Sequence, residues 1–269
     1  MIIRVRRKLG FGLVVSLLVF LLTSGCTTEK TIKVGIENNF RPFTFTEGGE
    51  NKGFEVELWQ AIAQKANIKY ELVPMENGEL SKSIKSGEVD LAISGMTITN
   101  ARKNNLEYSN PYFQTGLVIL TSSDNVVIKG KEDLAQKVVA TQNGTTAYNY
   151  ASEIQGVKIR SYPNISDAYD ELKKKNVDAV IFDERNVNDF SQNTAEGKVK
   201  IVGELLSKES YVVVANKRNK YIGRVNQAIE AVSKDGTYEA LYTKWFGAKP
   251  EIMPDKLKDQ LEQDKEHET

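Results

Sequence analysis

The sequence predicts an α/β protein of two similar lobes, and three observations carry that prediction. Strand-like and helix-like stretches alternate, the alternation runs twice in the same order, and the second pass repeats the first in letters as well as in pattern. Ile68 to Pro74 reads IKYELVP, and Val157 to Pro163 reads VKIRSYP. Glu88 to Gly95 reads EVDLAISG, and Asn176 to Asp183 reads NVDAVIFD. The step from Pro74 to Asp90 is 16 residues and that from Pro163 to Asp178 is 15. Strands that alternate with helices need crossover connections, so each pass is expected to be a βαβαβ unit around a parallel sheet.

The first element is a targeting segment. Arg4, Arg6, Arg7 and Lys8 precede a 14-residue, almost wholly apolar run from Leu9 to Leu22, followed by Thr23, Ser24, Gly25 and Cys26. The run is shorter than the roughly 20 residues of a spanning helix and has the layout of a secretory signal. Residues 1–25 therefore read as a signal peptide and 26–30 as a short tether. A solitary Cys at this place resembles a bacterial lipobox, although Thr23 fills the slot where Leu is usual. Cys26 is the expected lipidation site, and the extracytoplasmic face of the cell membrane is the expected location. The alternative is an ordinary signal peptide with an incidental Cys.

Three strands follow, at 32–36, at 68–73 ending on Pro74, and at 89–94. Between them Phe54, Leu58, Ala61, Ile62 and Ala66 recur at helical spacing after Gly53, and Leu80 and Ile84 mark a shorter helix stopped by Gly87. The second pass places strands at 138–141, 157–162 and 177–182, with Ile165, Ala168, Tyr169 and Leu172 on one face of a helix. Further strands are expected near 199–202 and 211–215. Tyr221, Val225, Ala228, Ile229 and Val232 then define a helix, and a last one runs from Asp235-Gly236-Thr237 to Trp245, Phe246 and Gly247. The end of the chain, from Lys256 to Thr269, is nearly all polar or charged, as in a solvated helix or disorder.

Composition excludes several chemistries. The chain has 36 Lys+Arg and 36 Asp+Glu, and loses four positive charges with the signal, so the mature form carries 36 − 4 = 32 basic and 36 acidic residues, net −4. That balance offers no nucleic-acid surface. One His, His267, and one Cys leave no disulfide within the chain, no Cys/His zinc site and little room for His-based catalysis. No metal and no cofactor is expected. In open α/β sheets a ligand sits beyond the carboxyl ends of the strands. Those positions are Glu37 to Phe43, Asn77, Ser94 to Thr99, Gln142 to Thr146, and Asp183.

The run Ser94-Gly95-Met96-Thr97-Ile98-Thr99, with Arg102 three places on, resembles the signature of solute-binding family 3, the polar amino-acid-binding proteins of bacterial ABC importers. Arg41-Pro42-Phe43, Gly53 to Leu58, Tyr108 to Tyr112, Asn143 to Thr146, Val177 to Val180 and Asp235 to Gly247 agree with it in order. Tyr162 to Ile165 with Ala168-Tyr169 is most like the glutamine-binding protein. The resemblance implies a type II periplasmic-binding-protein-like fold, with lobe one at 31–111 plus 212–248 and lobe two at 112–211. Two hinge strands would join the lobes near 112–116 and 207–211, and 249–269 would be a charged tail.

The same resemblance implies a site for a free polar L-amino acid, glutamine first, closed by hinge motion and delivered to a permease and its ATPase by a monomeric binding protein. Arg102 would fork the ligand carboxylate, since a guanidinium bonds both oxygens in one plane. Thr97 and Thr146 would add donors, with Thr145 beside them in the site, and Asp183 would take the ammonium with Thr97 and the Gly95 carbonyl. Ser94 belongs to the same loop. At the distal end Glu37 would accept from a ligand NH2 while Gln142 donates to its carbonyl, beside Phe40 and Asn77. Asn77 stands where the family commonly has an aromatic. Read singly, Arg102 is also a solvated helix charge, Asp183 a helix cap and the threonines plain caps. The alternatives are a site for arginine, lysine, ornithine or histidine, or a dehydratase built on this fold.

Overall fold

The computed structural model describes residues 30–99 and 105–259. The expected signal peptide, Cys26, Arg102 and residues 260–269 of the tail lie outside those residues. The described residues from 31 on form one compact unit.

The first strand, β1 (Ile32–Glu37), pairs in parallel with β5 (Tyr70–Met75) and with β6 (Leu91–Ala92). The crossovers are α1 (Phe54–Lys65) and α2 (Asn77–Ser86). Helix α1 buries Phe54, Leu58, Trp59, Ile62 and Ala63 on one face, and carries Glu55 and Glu57 in its first turn and Lys65 in its last, matched to the helix dipole. The strand at 70–75 runs through Pro74. It lies at the sheet edge, where a missing N–H costs no ladder bond.

Two long strands complete this sheet: β13 (Glu209–Asn216) pairs antiparallel with β6 and with β7 (Leu106–Thr115), so β7 runs in the same direction as β6, giving the order β5-β1-β6-β13-β7. The second sheet repeats the plan. Its β9 (Val138–Gln142) pairs in parallel with β10 (Lys158–Tyr162) and β11 (Ala179–Asp183), with α3 (Thr146–Glu153) and α4 (Ile165–Lys173) as crossovers. Strand β8 (Leu117–Ser122) pairs antiparallel with β11 and with β12 (Val199–Val202), extending it to β10-β9-β11-β8-β12. Each sheet is thus mixed rather than purely parallel. In each, one strand, β13 in the first sheet and β8 in the second, runs against the other four.

A three-stranded hairpin sheet, β2 (Asn39–Phe40), β3 (Thr44–Glu47) and β4 (Glu50–Lys52), was not among the expected elements. Helix α5 (Glu184–Asn193) follows β11, and α6 (Ile222–Lys234) and α7 (Thr237–Phe246) pack on α1. The sheets meet where β7 passes into β8 through Gly116. A Cβ on Gly116 would lie 2.0 Å from the Ser207 carbonyl oxygen, so only glycine permits the two linking segments to run this close. An aromatic cluster of Phe43, Phe54, Phe113 and Tyr211 fills the junction beneath the strand ends, with Phe43 and Phe113 edge to face at 5.0 Å.

Candidate functional site

The carboxyl ends of both sheets open on one cavity of about 140 Å³, many times the ~10–15 Å³ that one water needs. Its walls are Glu37 at the end of β1, Phe40, Asn77 at the start of α2, Ser94, Gly95 and Thr97 after β6, Thr145 and Thr146 at the start of α3, and Asp183 at the end of β11. Gln142 stands one hydrogen bond behind this wall, and Arg102 lies outside the described residues.

Glu37 is the polar centre of one end. Its Oε1 accepts from Gln142 Nε2 at 2.8 Å and its Oε2 from Asn77 Nδ2 at 2.9 Å. Gln142 Nε2 also donates to the Pro163 carbonyl at 3.0 Å, so both of its N–H bonds are engaged. Gln142 Oε1 is buried with no hydrogen-bond partner among the described residues. Burial pushes the Glu37 carboxyl up from 4.5 to about 7, against the two amide bonds that lower it. This end of the cavity therefore offers acceptors.

Asp183 is the second buried carboxylate. Its Oδ1 accepts from the Tyr211 hydroxyl and from Thr115 Oγ1 at 3.3 Å, and its Oδ2 has no hydrogen bond among the described residues. Burial, then the nearby Glu209 carboxylate, raises its pKa well above the ordinary aspartate value. A third carboxylate lies behind the wall. Glu55 is wholly buried, and its Oε1 accepts from the Gly95 N–H at 2.8 Å and from the Tyr112 hydroxyl. Burial lifts it from 4.5 to about 7. Glu55 thus pins the 94–97 loop, which Met96 also ties to β13 by its carbonyl on Val212 N at 2.9 Å.

The loop geometry explains the small residues. Gly95 sits at φ +55°, and a Cβ there would come within 2.4 Å of the Phe40 ring. Phe40 stacks on Phe43 at 5.0 Å and meets Phe182 of the other sheet edge to face at 6.1 Å. Ser94 Oγ accepts from Glu37 N at 2.9 Å and bonds Thr44 Oγ1 at 3.0 Å. Thr145 caps α3, accepting from Tyr148 N at 3.2 Å while donating to Gln142 O at 2.8 Å. Thr146 Oγ1 donates to Glu209 Oε2 at 2.7 Å.

Several wall residues were not singled out in the sequence. Leu80 and Ser81 stand three and four places after Asn77, on the same face of α2, and helical spacing alone would have found them. Phe182 precedes Asp183 on the same strand. Glu55 left no such signal, because its carboxylate reaches the loop from another element.

A cavity enclosed by the carboxyl ends of two like-built sheets, lined by fixed hydrogen-bonding groups and buried carboxylates, defines a two-lobed binding protein for a small polar solute. The chain matches the bacterial extracellular solute-binding proteins, family 3, over residues 32–248, and belongs to that family. The L-cystine-binding protein TcyJ of Escherichia coli (strain K12) is 32% identical to it over 222 residues, 81% of this chain and 83% of the relative. Among solved structures, the arginine-, lysine-, histidine-binding protein ArtJ from Geobacillus stearothermophilus superposes with a TM-score of 0.80 at 33% identity, covering 85% of this chain and 100% of that one. An ancestral arginine-binding protein, solved bound to glutamine and bound to arginine, gives a TM-score of 0.77 at 39% identity over 81% of this chain and 98% of its own. These relatives are binding proteins, and this chain is a solute-binding protein rather than an enzyme.

Proposed function

We propose that the protein is the substrate-binding component of a bacterial ABC importer, and that its solute is a free L-amino acid whose side chain ends in N–H donors, a basic one before glutamine. The observation that carries this reading is the pair of buried carboxylates, Glu37 and Asp183, on the wall of one cavity and from different sheets. Burying a cation needs a counter-charge and burying a carboxylate needs a cation, so a ligand with two positive groups satisfies both. Asp183 would take the α-ammonium and Glu37 the side-chain cation, with Arg102 on the ligand carboxylate as the family resemblance implies.

From the sequence alone, glutamine is favoured if Gln142 donates to a ligand carbonyl. Both N–H bonds of Gln142 go to Glu37 and Pro163, and its free atom is an acceptor. A guanidinium or ammonium gains from such a setting, whereas glutamine gains only through its NH2. Glutamine stays as the second choice, supported by the ancestral arginine-binding protein solved with either ligand.

Capture by closure is part of the proposal. Glu37–Gln142, Asn39 Nδ2 to Ser166 Oγ at 3.2 Å, and Asn186 Nδ2 to the Arg41 carbonyl cross between the two sheets' halves and would break on opening. Isothermal titration with the twenty amino acids tests the solute: arginine or lysine tighter than glutamine is expected, and tight binding of glutamate would overturn the role of Glu37. The membrane tether and the permease rest on the resemblance alone. Cys26→Ser should release the protein into the medium; retention on membranes after a salt wash would exclude lipid anchoring.

A further inference from the structure

A second cavity, of about 320 Å³, lies against the linking strands and α7, apart from the one already described. It is the size of a small-molecule pocket, ~300–1,000 Å³, and it holds an arginine and two tyrosines with no hydrogen-bond partner among the described residues. Arg185, two residues after Asp183, lines it with no ion pair or hydrogen bond among the described residues, and its Nε is buried. The guanidinium lies over the rings of Tyr242 and Phe246, at 6.0 and 5.8 Å, so its edge remains available for a planar acceptor. Tyr238 and Tyr242 are 1% and 6% exposed, line the same cavity, and have no hydroxyl hydrogen bond among the described residues. The buried Nε of Arg185 is the orphan, and the phenols of Tyr238 and Tyr242 line the same space, so an acceptor group there would meet three donors.

We propose that this cavity is a binding site for a small monocarboxylate with an apolar body, its carboxylate held by the Arg185 guanidinium and the hydroxyls of Tyr238 and Tyr242. A carboxylate matches the flat fork of the guanidinium and makes charge-assisted bonds with all three donors. Leu205, which is 45% exposed, and Ile252 supply apolar wall for the rest of the ligand. The charges around the cavity set the valence. Lys208 adds a second cation, while Glu184 and Glu251 also face the space, so a dianion would meet two carboxylates and a single negative charge is favoured. The site does not depend on which solute the first cavity takes.

Benzoate is the probe, titrated calorimetrically into the purified full-length protein at constant ionic strength. One saturable site is expected, weakened about tenfold or more in Arg185→Gln by loss of a charge-assisted bond. Tyr238→Phe and Tyr242→Phe keep the ring packing and should each weaken it about three- to tenfold. They also carry the test if the arginine variant does not fold. Phosphate should not compete. Absence of saturable binding, unchanged affinity in all three variants, or competition by phosphate overturns the proposal. So does loss of the benzoate signal in Arg102→Gln, which would put the carboxylate in the first cavity. Failure of the amino-acid reading would appear separately, as no amino acid binding while benzoate still binds.

Discussion

The two halves of the protein are built to one plan and differ at its rim. In each, the middle strand is flanked by parallel neighbours in the order β5-β1-β6 or β10-β9-β11. Each uses the same aspartate to close the sheet. Asp90 Oδ2 accepts from Lys33 N at 2.9 Å while Asp90 N donates to Lys33 O at 2.8 Å, and Asp178 does the same to Val138 at 2.7 and 2.8 Å. The last residues of the middle strands are Glu37 and Gln142, and these bond to each other. The aligned ends of the third strands are Gly95 and Asp183, one lending a backbone N–H to Glu55 and the other a carboxylate to the cavity. Both halves need the same backbone closure, so that pair is alike. The rim residues face different ends of an asymmetric solute, so they are not.

Removing the charge that distinguishes Asp183 from its counterpart should have the largest effect. Asp183→Asn keeps the shape and the bond from Tyr211 but leaves a bound ammonium unpaired, and should cost about 2 to 5 kcal/mol of amino-acid affinity by calorimetry. An affinity within threefold of the parent would remove Asp183 from the site.

The buried carboxylates also make stability depend on pH. Glu37 and Glu55 are raised from 4.5 to about 7, so the folded chain holds protons that the unfolded chain has released between those values. Stability is then greatest below about pH 4.5 as far as these groups are concerned, and falls as pH rises through 7, by about 3 kcal/mol for each. Thermal melts of the ligand-free protein should show a lower Tm at pH 8 than at pH 5.5. A saturating basic amino acid should narrow that difference, because the ligand cation stabilises the ionised Glu37. A Tm flat over this range would mean that the carboxylates are ionised throughout.

Glu37→Gln makes the two rim residues alike. It should reduce arginine affinity by about 1.5 to 3 kcal/mol, the worth of a bond to a charged group, and reduce glutamine affinity less. An equal loss for both ligands would mean that Glu37 supports the wall without meeting the ligand. The smallest effects test the shared part of the plan. Asp90→Asn and Asp178→Asn should each cost about 1 to 2 kcal/mol of stability in denaturant melts, with amino-acid affinity unchanged. A tenfold loss of affinity from either would show that these closures also shape the rim.

Much of the framework was legible because it is local and repeated. The hydrophobic periodicity of α1, α4 and α6 and the duplicated VD-containing strands need only neighbours in sequence to be read. The hairpin at 44–52 carries only a short signal, Gly48-Gly49 between strands of four and three residues. The loops at strand ends marked most of the cavity wall for a general reason, that α/β sheets bind ligands there.

By itself the sequence determined the two-lobed α/β plan, the order of its elements and the residues brought to the rim. Only the tertiary structure decided how those residues spend their hydrogen bonds. Glu37 and Gln142 are 105 positions apart, and no local pattern shows that the amide serves the carboxylate rather than a ligand. Nor could spacing show that Glu55, on the first helix, holds the Gly95 N–H, or that Arg185 and the rings of Tyr238 and Tyr242 share a cavity. Backbone periodicity sets secondary structure over a few residues, whereas the partners of a buried polar group are fixed by packing between distant elements, where each unmet bond is costly.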